Sequence, residues 1–439
     1  METLKKPVLF YLRVLAKIQL RKIKPLIIGI GGSSGKSSLS RLIYLILSDR
    51  FKVLYSEGKN NETGIPLTIL RNNLAGYSNL DWIKALILAP LILVFDWTRF
   101  DVYVAEMGID SPKEPKNMSY LLKIINLDVG VLTNVSFEHS QYFEEEGKGK
   151  NLEEKEREIF KLTSEQELLL LNSIGKEKTA ILNLDDKVIS DAGDKLGCKK
   201  ITVSREKSDF RIIRVTSSLY GFEVEFEHLN KGYTIKLKQP LTEHFSYSIV
   251  LAVAVCFSLG VKITDSISSI EDKFSLPAGR MTVFPGVENS TVIDSSYNSS
   301  PLPLSDMLDF LKNCEAKRKV AILGDMRELG ILSKKLHEEA ASKILRTANA
   351  AILIGPLMKE YAYPILKKSN FKVESFDNFT QAKGYIRDLI EEGDLVLVKG
   401  SQNTLFLERV VEMLLKNVTD KEKLCRRGEF WDKKRGQSL

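Results

Sequence analysis

The run PLIIGIGGSSGKSSLSRLIYLILSD, residues 25–49, constrains this chain more than any other feature. A short apolar segment reads as a buried strand, a Gly/Ser loop follows, and a helix opens at once. Glycines let such a loop curl so that several backbone N–H groups point at one anion, and the helix N-terminus adds positive potential. Lys36 would reach the terminal phosphates of a nucleotide, and the Ser37 hydroxyl would ligate Mg²⁺. The candidate nucleotide-binding residues are Gly32, Ser33, Ser34, Gly35, Lys36, Ser37 and Ser38. One position departs from the full GxxxxGK(S/T) pattern, because Ile30 stands six residues before Lys36. A ligand-free Gly/Ser turn is the alternative, but it gives no reason for Gly-Lys-Ser between strand and helix. The loop alone leaves kinase, ATPase, GTPase and ligase chemistry open.

The chain repeats this strand–loop–helix grammar. VYVAEMG (102–108), VGVLTNV (129–135) and TAILNLDD (179–186) are further buried-strand candidates. Apolar strands separated by helical patterns predict a parallel sheet covered on both faces. Within 201–238, FRIIRV, YGFEVEFEHL and YTIKLKQ alternate apolar and polar residues like an antiparallel meander attached to the same domain. After SLPAGR the alternation restarts with TVIDSSY, KVAILGDM, AAILIGP and DLVLVKG, which predicts a second doubly wound domain. The expected fold class is α/β: a central P-loop domain over 25–278, then a Rossmann-like domain over 279–418. A basic N-terminal helix (1–24) and a basic tail (419–439) flank them. A chain of 439 residues has length for two to three such domains.

Charge separates the ends from the middle. Residues 1–24 carry a balance of +6 and residues 421–439 a balance of +4, out of +7 for the whole chain. A basic surface spread over the molecule, as nucleic-acid binding would need, is therefore not predicted. The segment VLFYLRVLAKIQLRKI (8–23) reads as an amphipathic helix, either docked with a solvated basic face or laid on a membrane surface. WIKALILAPLILVFDW (82–97) is broken by Lys84 and Pro90 and is too short to span a bilayer. A core helix or a helical hairpin is expected there, with monotopic membrane contact as the other reading. Four widely spaced cysteines without a C-x-x-C pair suit a reducing cytoplasm and no structural metal.

Ligands of open α/β sheets gather at the carboxyl ends of strands. Glu106, in AEMG, and His139, in TNVSFEHSQYF, stand at such ends. With Ser37, a carboxylate and a neutral imidazole form a candidate Mg²⁺ site. The chain resembles the Mur ligase family in GGSSGKSS (31–38), GKNNETGIPLTIL (58–70), AEMG (105–108), TNVSFEHSQYF (133–143) and LNLDD (182–186). The likeness continues through GRM (279–281), IDSSYNSSP (293–301), ILGDMRELG (322–330) with His337, and KGSQ (399–402). The IDSSYN, GDMRELG and KGS segments are most similar to the branch of the family that adds D-alanyl-D-alanine.

The resemblance implies an ATP-dependent ligase whose two domains close on their substrates. A peptide carboxylate attacks the γ-phosphate, and an amine then displaces phosphate from the acyl phosphate. On this reading Lys36, Arg280, His139 and Lys155 are catalytic, and Asp294, Tyr297 and Asn298 meet the nucleotide. Asn60, Asn61, Asp325, Glu328, Lys399 and Ser401 are carried over as substrate-binding. The family's carbamylated lysine falls in register on Glu156, with Lys155 one position earlier. Other departures are Ser295, Ser248 and Thr242 where the family has Asp, Asn and Gly, although His244 remains.

Only one helix precedes the phosphate loop, where family members carry a UDP-recognition domain. The acceptor is therefore expected to be handled by a partner protein, or to be a different, lipid-linked precursor. The implied function is addition of D-alanyl-D-alanine to a muramoyl-peptide precursor, in the cytoplasm, with ATP and Mg²⁺. Small-molecule and peptide substrates, a monomer or an acceptor-supplying partner, and association with the inner membrane face complete the expectation. The alternatives are a Mur-like ligase of folylpolyglutamate, pseudomurein or lipid-linked type, or an inactive binding protein of the same fold.

Overall fold

A computed structural model describes residues 2–72, 79–137, 140–146, 149–400 and 404–437. Helix α1 (Glu2–Ile23) leads into β1 (Leu26–Gly31), the phosphate loop and α2 (Lys36–Leu47). Next come β2 (Val53–Tyr55), α3 (Gly64–Ile69), α4 (Asn79–Phe95), β3 (Val102–Glu106), β4 (Val129–Leu132) and β5 (Thr179–Asn183). The first sheet is completed by β6 (Lys199–Ser204), β7 (Phe210–Ser218), β8 (Gly221–His228) and β9 (Lys231–Leu237).

These nine strands form one sheet in the order β2-β3-β1-β4-β5-β6-β7-β8-β9. It is parallel from β2 to β7 and antiparallel across β7, β8 and β9, so the meander extends the main sheet. Strand β1 lies between β3 and β4, where the strand order reverses. That reversal opens a crevice at the carboxyl end of β1, directly under the phosphate loop.

Helix α2 packs there because Leu39, Leu42, Ile43, Ile46 and Leu47 repeat at helical spacing and are all buried. Burial of each contributes roughly 1.5–3 kcal/mol relative to exposure. They share a core with Ile249–Cys256 of the helix Phe245–Ser258, on one face of the sheet. The opposite face is covered by α1, α3 and the helix Leu152–Asn172, through Leu20, Ile69, Ile159 and Leu170.

The second sheet contains β10 (Thr282–Pro285), β11 (Thr291–Ser295), β12 (Lys319–Gly324), β13 (Ala350–Ile354), β14 (Lys372–Phe376) and β15 (Leu395–Lys399). Its order is β10-β11-β15-β12-β13-β14, parallel apart from β10. Strands β2, β10 and β14 were not expected. The first has three residues, the second ends at Pro285, and β14 is a partly exposed edge strand, so none shows a sustained apolar run.

Residues 82–95 require a correction. They belong to one helix, α4, with Pro90 inside it, and not to a hairpin or a core helix. Ala85 and Ala89 are buried against Leu12, Leu15, Leu67 and Leu70, while Ile83, Ile87, Leu91 and Val94 are exposed.

Candidate active site

The phosphate loop owes its shape to two left-handed glycines. Gly32 (φ +113°) has no room for a side chain, because a Cβ there would lie 2.2 Å from Thr133 Oγ1. Gly35 (φ +81°) precedes α2, and no side chain caps that helix. The first N–H groups of α2 are thus left available to an anion. Lys36 folds over the loop, donating to the Gly32 carbonyl and, at 2.9 Å, to that of Ser33.

Beside it, Glu106 Oε1 accepts from Ser37 Oγ at 3.1 Å and from Asn60 Nδ2 at 3.0 Å. Glu106 Oε2 is buried and has no hydrogen-bond partner. An orphaned carboxylate oxygen next to a serine hydroxyl suits a divalent cation. The loop's turn through Gly32 and Gly35 suits a nucleotide's phosphates in the same way. Ser37 and Glu106 are thus fit to hold Mg²⁺, and Ser33–Ser38 to hold the phosphates of ATP.

These groups line a cleft of about 450 Å³ between the two domains. From the first domain come Ser33, Ser34, Gly35, Lys36, Ser37, Ser38, Asn60 and Glu106; from the second come Arg280, Tyr297, Asn298 and Lys399. The Arg280 guanidinium lies 5.0 Å from the centroid of the Tyr297 ring. Lys399, at the end of β15, donates to the Asn298 carbonyl at 2.9 Å.

Other expected site residues lie elsewhere. Gly32 is a buried member of the loop and does not line the cleft. Asn61 caps the start of α3, its Oδ1 accepting from Gly64 N at 2.8 Å. Asp294 is fully buried and outside the cleft lining, its Oδ1 accepting from Ser296 N at 3.0 Å. Burial raises its carboxyl above the usual range. Asp325 is also buried; it accepts from Met358 N at 2.8 Å, and burial pushes it up to about 6. Glu328 takes a left-handed conformation, and its carbonyl accepts from Gln141 N at 3.1 Å, which makes it a domain contact. Lys155 is half-buried on Leu152–Asn172, and neither it nor Glu156 lines the cleft. Glu156 is instead paired with Lys335 of the second domain. His139 and Ser401 lie outside the described residues.

The sequence reading missed several participants. Glu167 is buried under the loop, and its Oε2 accepts from Gly32 N at 2.8 Å. Asn134 accepts from Ser34 N at 3.2 Å and lies 3.4 Å from His244 Nε2. His244, which the sequence reading retains, lines the cleft with Asp306 of the second domain, whose carboxyl is raised by burial and lowered in part by His244. Asn134 was findable, since it follows β4 at the crevice. Glu167 and Asp306 sit in helices that read as ordinary charged faces.

Comparison with known proteins follows the same outline. Residues 30–256 match the Mur ligase middle domain, and residues 279–402 match the glutamate ligase domain of Mur ligases. The UDP-N-acetylmuramoyl-tripeptide–D-alanyl-D-alanine ligase of Rickettsia prowazekii is 26% identical over 408 residues, covering 91% of this chain and 80% of that protein. The enzyme of the same name from Bacillus subtilis is 23% identical, with coverage of 92% and 79%. Among solved structures, the MurF ligase from Thermotoga maritima in complex with ADP superposes with a TM-score of 0.73 at 21% identity. That match covers 94% of this chain and 84% of the Thermotoga chain. With a middle domain that by itself spans more than half of its length, and a C-terminal domain of the same type behind it, the chain belongs to the Mur ligase family.

Proposed function

We propose that this Mur ligase adds D-alanyl-D-alanine to the peptide of a muramoyl cell-wall precursor. Membership of the family carries the enzyme class, ATP-dependent formation of an amide bond. The relatives from Rickettsia prowazekii and Bacillus subtilis, named for the dipeptide-adding reaction and aligned over nine-tenths of the chain, support the substrate assignment. The single observation that carries the mechanism is the two-domain cleft. It sets the phosphate loop and the Ser37–Glu106 pair opposite Arg280, Tyr297, Asn298 and Lys399.

Phosphoryl transfer needs positioning and charge neutralisation more than covalent help from the protein. A carboxylate oxygen of the acceptor peptide bonds to the γ-phosphorus and the bond to ADP breaks. The amine of the incoming dipeptide then attacks the acyl carbon, inorganic phosphate leaves with the electron pair, and the amine gives up a proton. Lys36 and the N–H groups of α2 offset the phosphate charge. Ser37 and Glu106 would hold Mg²⁺, which when bound would supply further neutralisation at the phosphates; His139, the third ligand expected from the sequence, lies outside the described residues. Arg280 adds a cation from the second domain, and the closed cleft excludes water from the acyl phosphate. Tyr297 and Asn298 form the nucleotide side of the cleft, and Lys399 orders Asn298 through its carbonyl. The reaction is read as cytoplasmic, in keeping with four free cysteines.

The test is a coupled phosphate-release assay with ATP, D-alanyl-D-alanine and acceptor tripeptides, with and without the UDP-muramoyl moiety. Mass spectrometry of the product should show the acceptor extended by one dipeptide with loss of water. Phosphate release that is absent for every acceptor, or a product extended by a single amino acid, would overturn the assignment.

A further inference from the structure

Two helices outside the catalytic cleft carry an apolar surface that nothing else in the described residues covers. On α1, Phe10, Val14 and Ile18 recur every four residues on one side and are 58%, 36% and 42% exposed. On α4, Leu80, Ile83, Ile87, Leu91 and Val94 recur at three- and four-residue intervals and are all exposed, as are Phe95 and Trp97 beyond them. Exposed apolar side chains in such number on one small unit mark a contact surface rather than ordinary solvent exposure.

The unit is firmly built. Leu12 and Leu15 of α1 pack with Ala85 and Ala89 of α4 over Leu67 and Leu70. Tyr11 Oη donates to the Leu86 carbonyl at 3.3 Å. Lys22 Nζ donates to the carbonyls of Leu93 and Asp96, each at 2.8 Å, and lies 3.8 Å from the Trp97 ring centroid. The outward side chains are therefore held on a fixed scaffold.

Charge selects the occupant. Between residues 6 and 24, α1 and its exit carry Lys6, Arg13, Lys17, Arg21, Lys22 and Lys24, with no Asp or Glu. A second copy of this chain docking through the same face would bring two such cationic helices together. Apolar side chains beside a cationic rim instead match the boundary between acyl chains and anionic headgroups. No helix among the described residues is long and apolar enough to cross a membrane. We propose that the α1–α4 face seats this ligase on an anionic lipid surface, with Ile83, Ile87, Leu91 and Val94 entering the acyl boundary and Lys6, Lys17, Arg21 and Lys24 meeting the headgroups.

The experiment is co-sedimentation of the full chain with vesicles of phosphatidylcholine alone or with one-third phosphatidylglycerol, at low and high salt, without nucleotide or acceptor. Its outcome is thereby separable from that of the ligase assay. Binding to the anionic vesicles should be at least tenfold stronger than to the neutral ones and should fall with salt. Ile87→Ser/Leu91→Ser and Lys17→Glu/Arg21→Glu should each abolish it, with thermal stability and phosphate release in solution unchanged. Both pairs lie away from the cleft, so a folded, active variant is expected. Absence of binding to anionic vesicles at low salt overturns the proposal. So does equal binding to both vesicle types, binding that survives either double variant, or self-association that the same substitutions abolish in the absence of lipid.

Discussion

Lys335 Nζ lies 2.6 Å and 2.8 Å from the two carboxylate oxygens of Glu156, and the two residues belong to different domains. Glu156 sits on the helix Leu152–Asn172 and Lys335 on the helix Ser333–Ile344. Around this latch, Ser140 Oγ donates to the Leu329 carbonyl at 3.0 Å, and Ile331 N donates to Glu144. The pair raises the Lys335 ammonium above its usual range, chiefly through the hydrogen bond to Glu156. Both side chains keep some solvent access, so the pair does little for the stability of either domain, and its effect is expected on domain closure. Lys335→Glu should lower kcat by up to about fivefold, the range of a partly exposed ion pair. Adding Glu156→Lys should restore it. Steady-state kinetics of the two single variants and the double variant at low salt would measure this, and additive losses would reject the latch.

Lys36→Ala should reduce turnover on the order of 100-fold or more, because a cation at the transferring phosphate is lost. Its observed bonds are to two carbonyls of its own loop, so the melting temperature should stay within a degree or two of the parent's. Near-parental phosphate release would remove the loop from the mechanism.

Glu106→Gln keeps the shape of the side chain but removes the charge from the buried oxygen that has no partner. The Mg²⁺ concentration for half-maximal activity should rise by about tenfold, the loss of one charge-assisted contact. A Mg²⁺ titration that superposes on the parent's would exclude Glu106 as a ligand.

Arg426 and Glu408 form an ion pair 2.8 Å long with side chains 1% and 0% exposed. Arg426 also donates to the carbonyl of Tyr297, tying the C-terminal segment to the cleft wall. Arg426→Met leaves the buried carboxylate only the more distant Arg435, 4.0 Å away, and should destabilise the second domain by about 3 kcal/mol. Arg426→Met/Glu408→Leu should recover most of that loss. Denaturant unfolding followed by far-UV circular dichroism would read both.

Burial raises the Asp325 carboxyl from 3.8 to about 6. A carboxyl with a native pKa above its unfolded one binds more protons in the folded state. Its contribution is therefore fully present below about pH 4 and lost as pH rises through 6. Asp325→Asn, which keeps an acceptor for Met358 N, should erase that slope. Parallel pH–stability profiles for the parent and the variant would contradict it.

The sequence by itself determined the elements whose causes are local. Strand β1, the glycines at 32 and 35, and the helix that starts at Lys36 are dictated by neighbours within a few residues, so the loop was readable with its phosphate chemistry. Glu106 was readable too, because a strand end beside the phosphate loop is a place the topology of any parallel sheet prepares. Tertiary structure decided whatever depends on residues far apart in the chain. It put Glu167 under Gly32 across 135 positions, brought Asp306 to the cleft with His244, and engaged Glu156, in the register of a metal-site lysine, with Lys335. It withdrew Asp294 from the cleft by burying it completely. Segment 82–97 shows the physical reason most plainly. Hydropathy records how strongly a residue prefers to leave water, and α4 has that preference on every side. Which of those sides finds a partner is settled only by what folds against it. Here that is α1 on one side, and no described residue on the other.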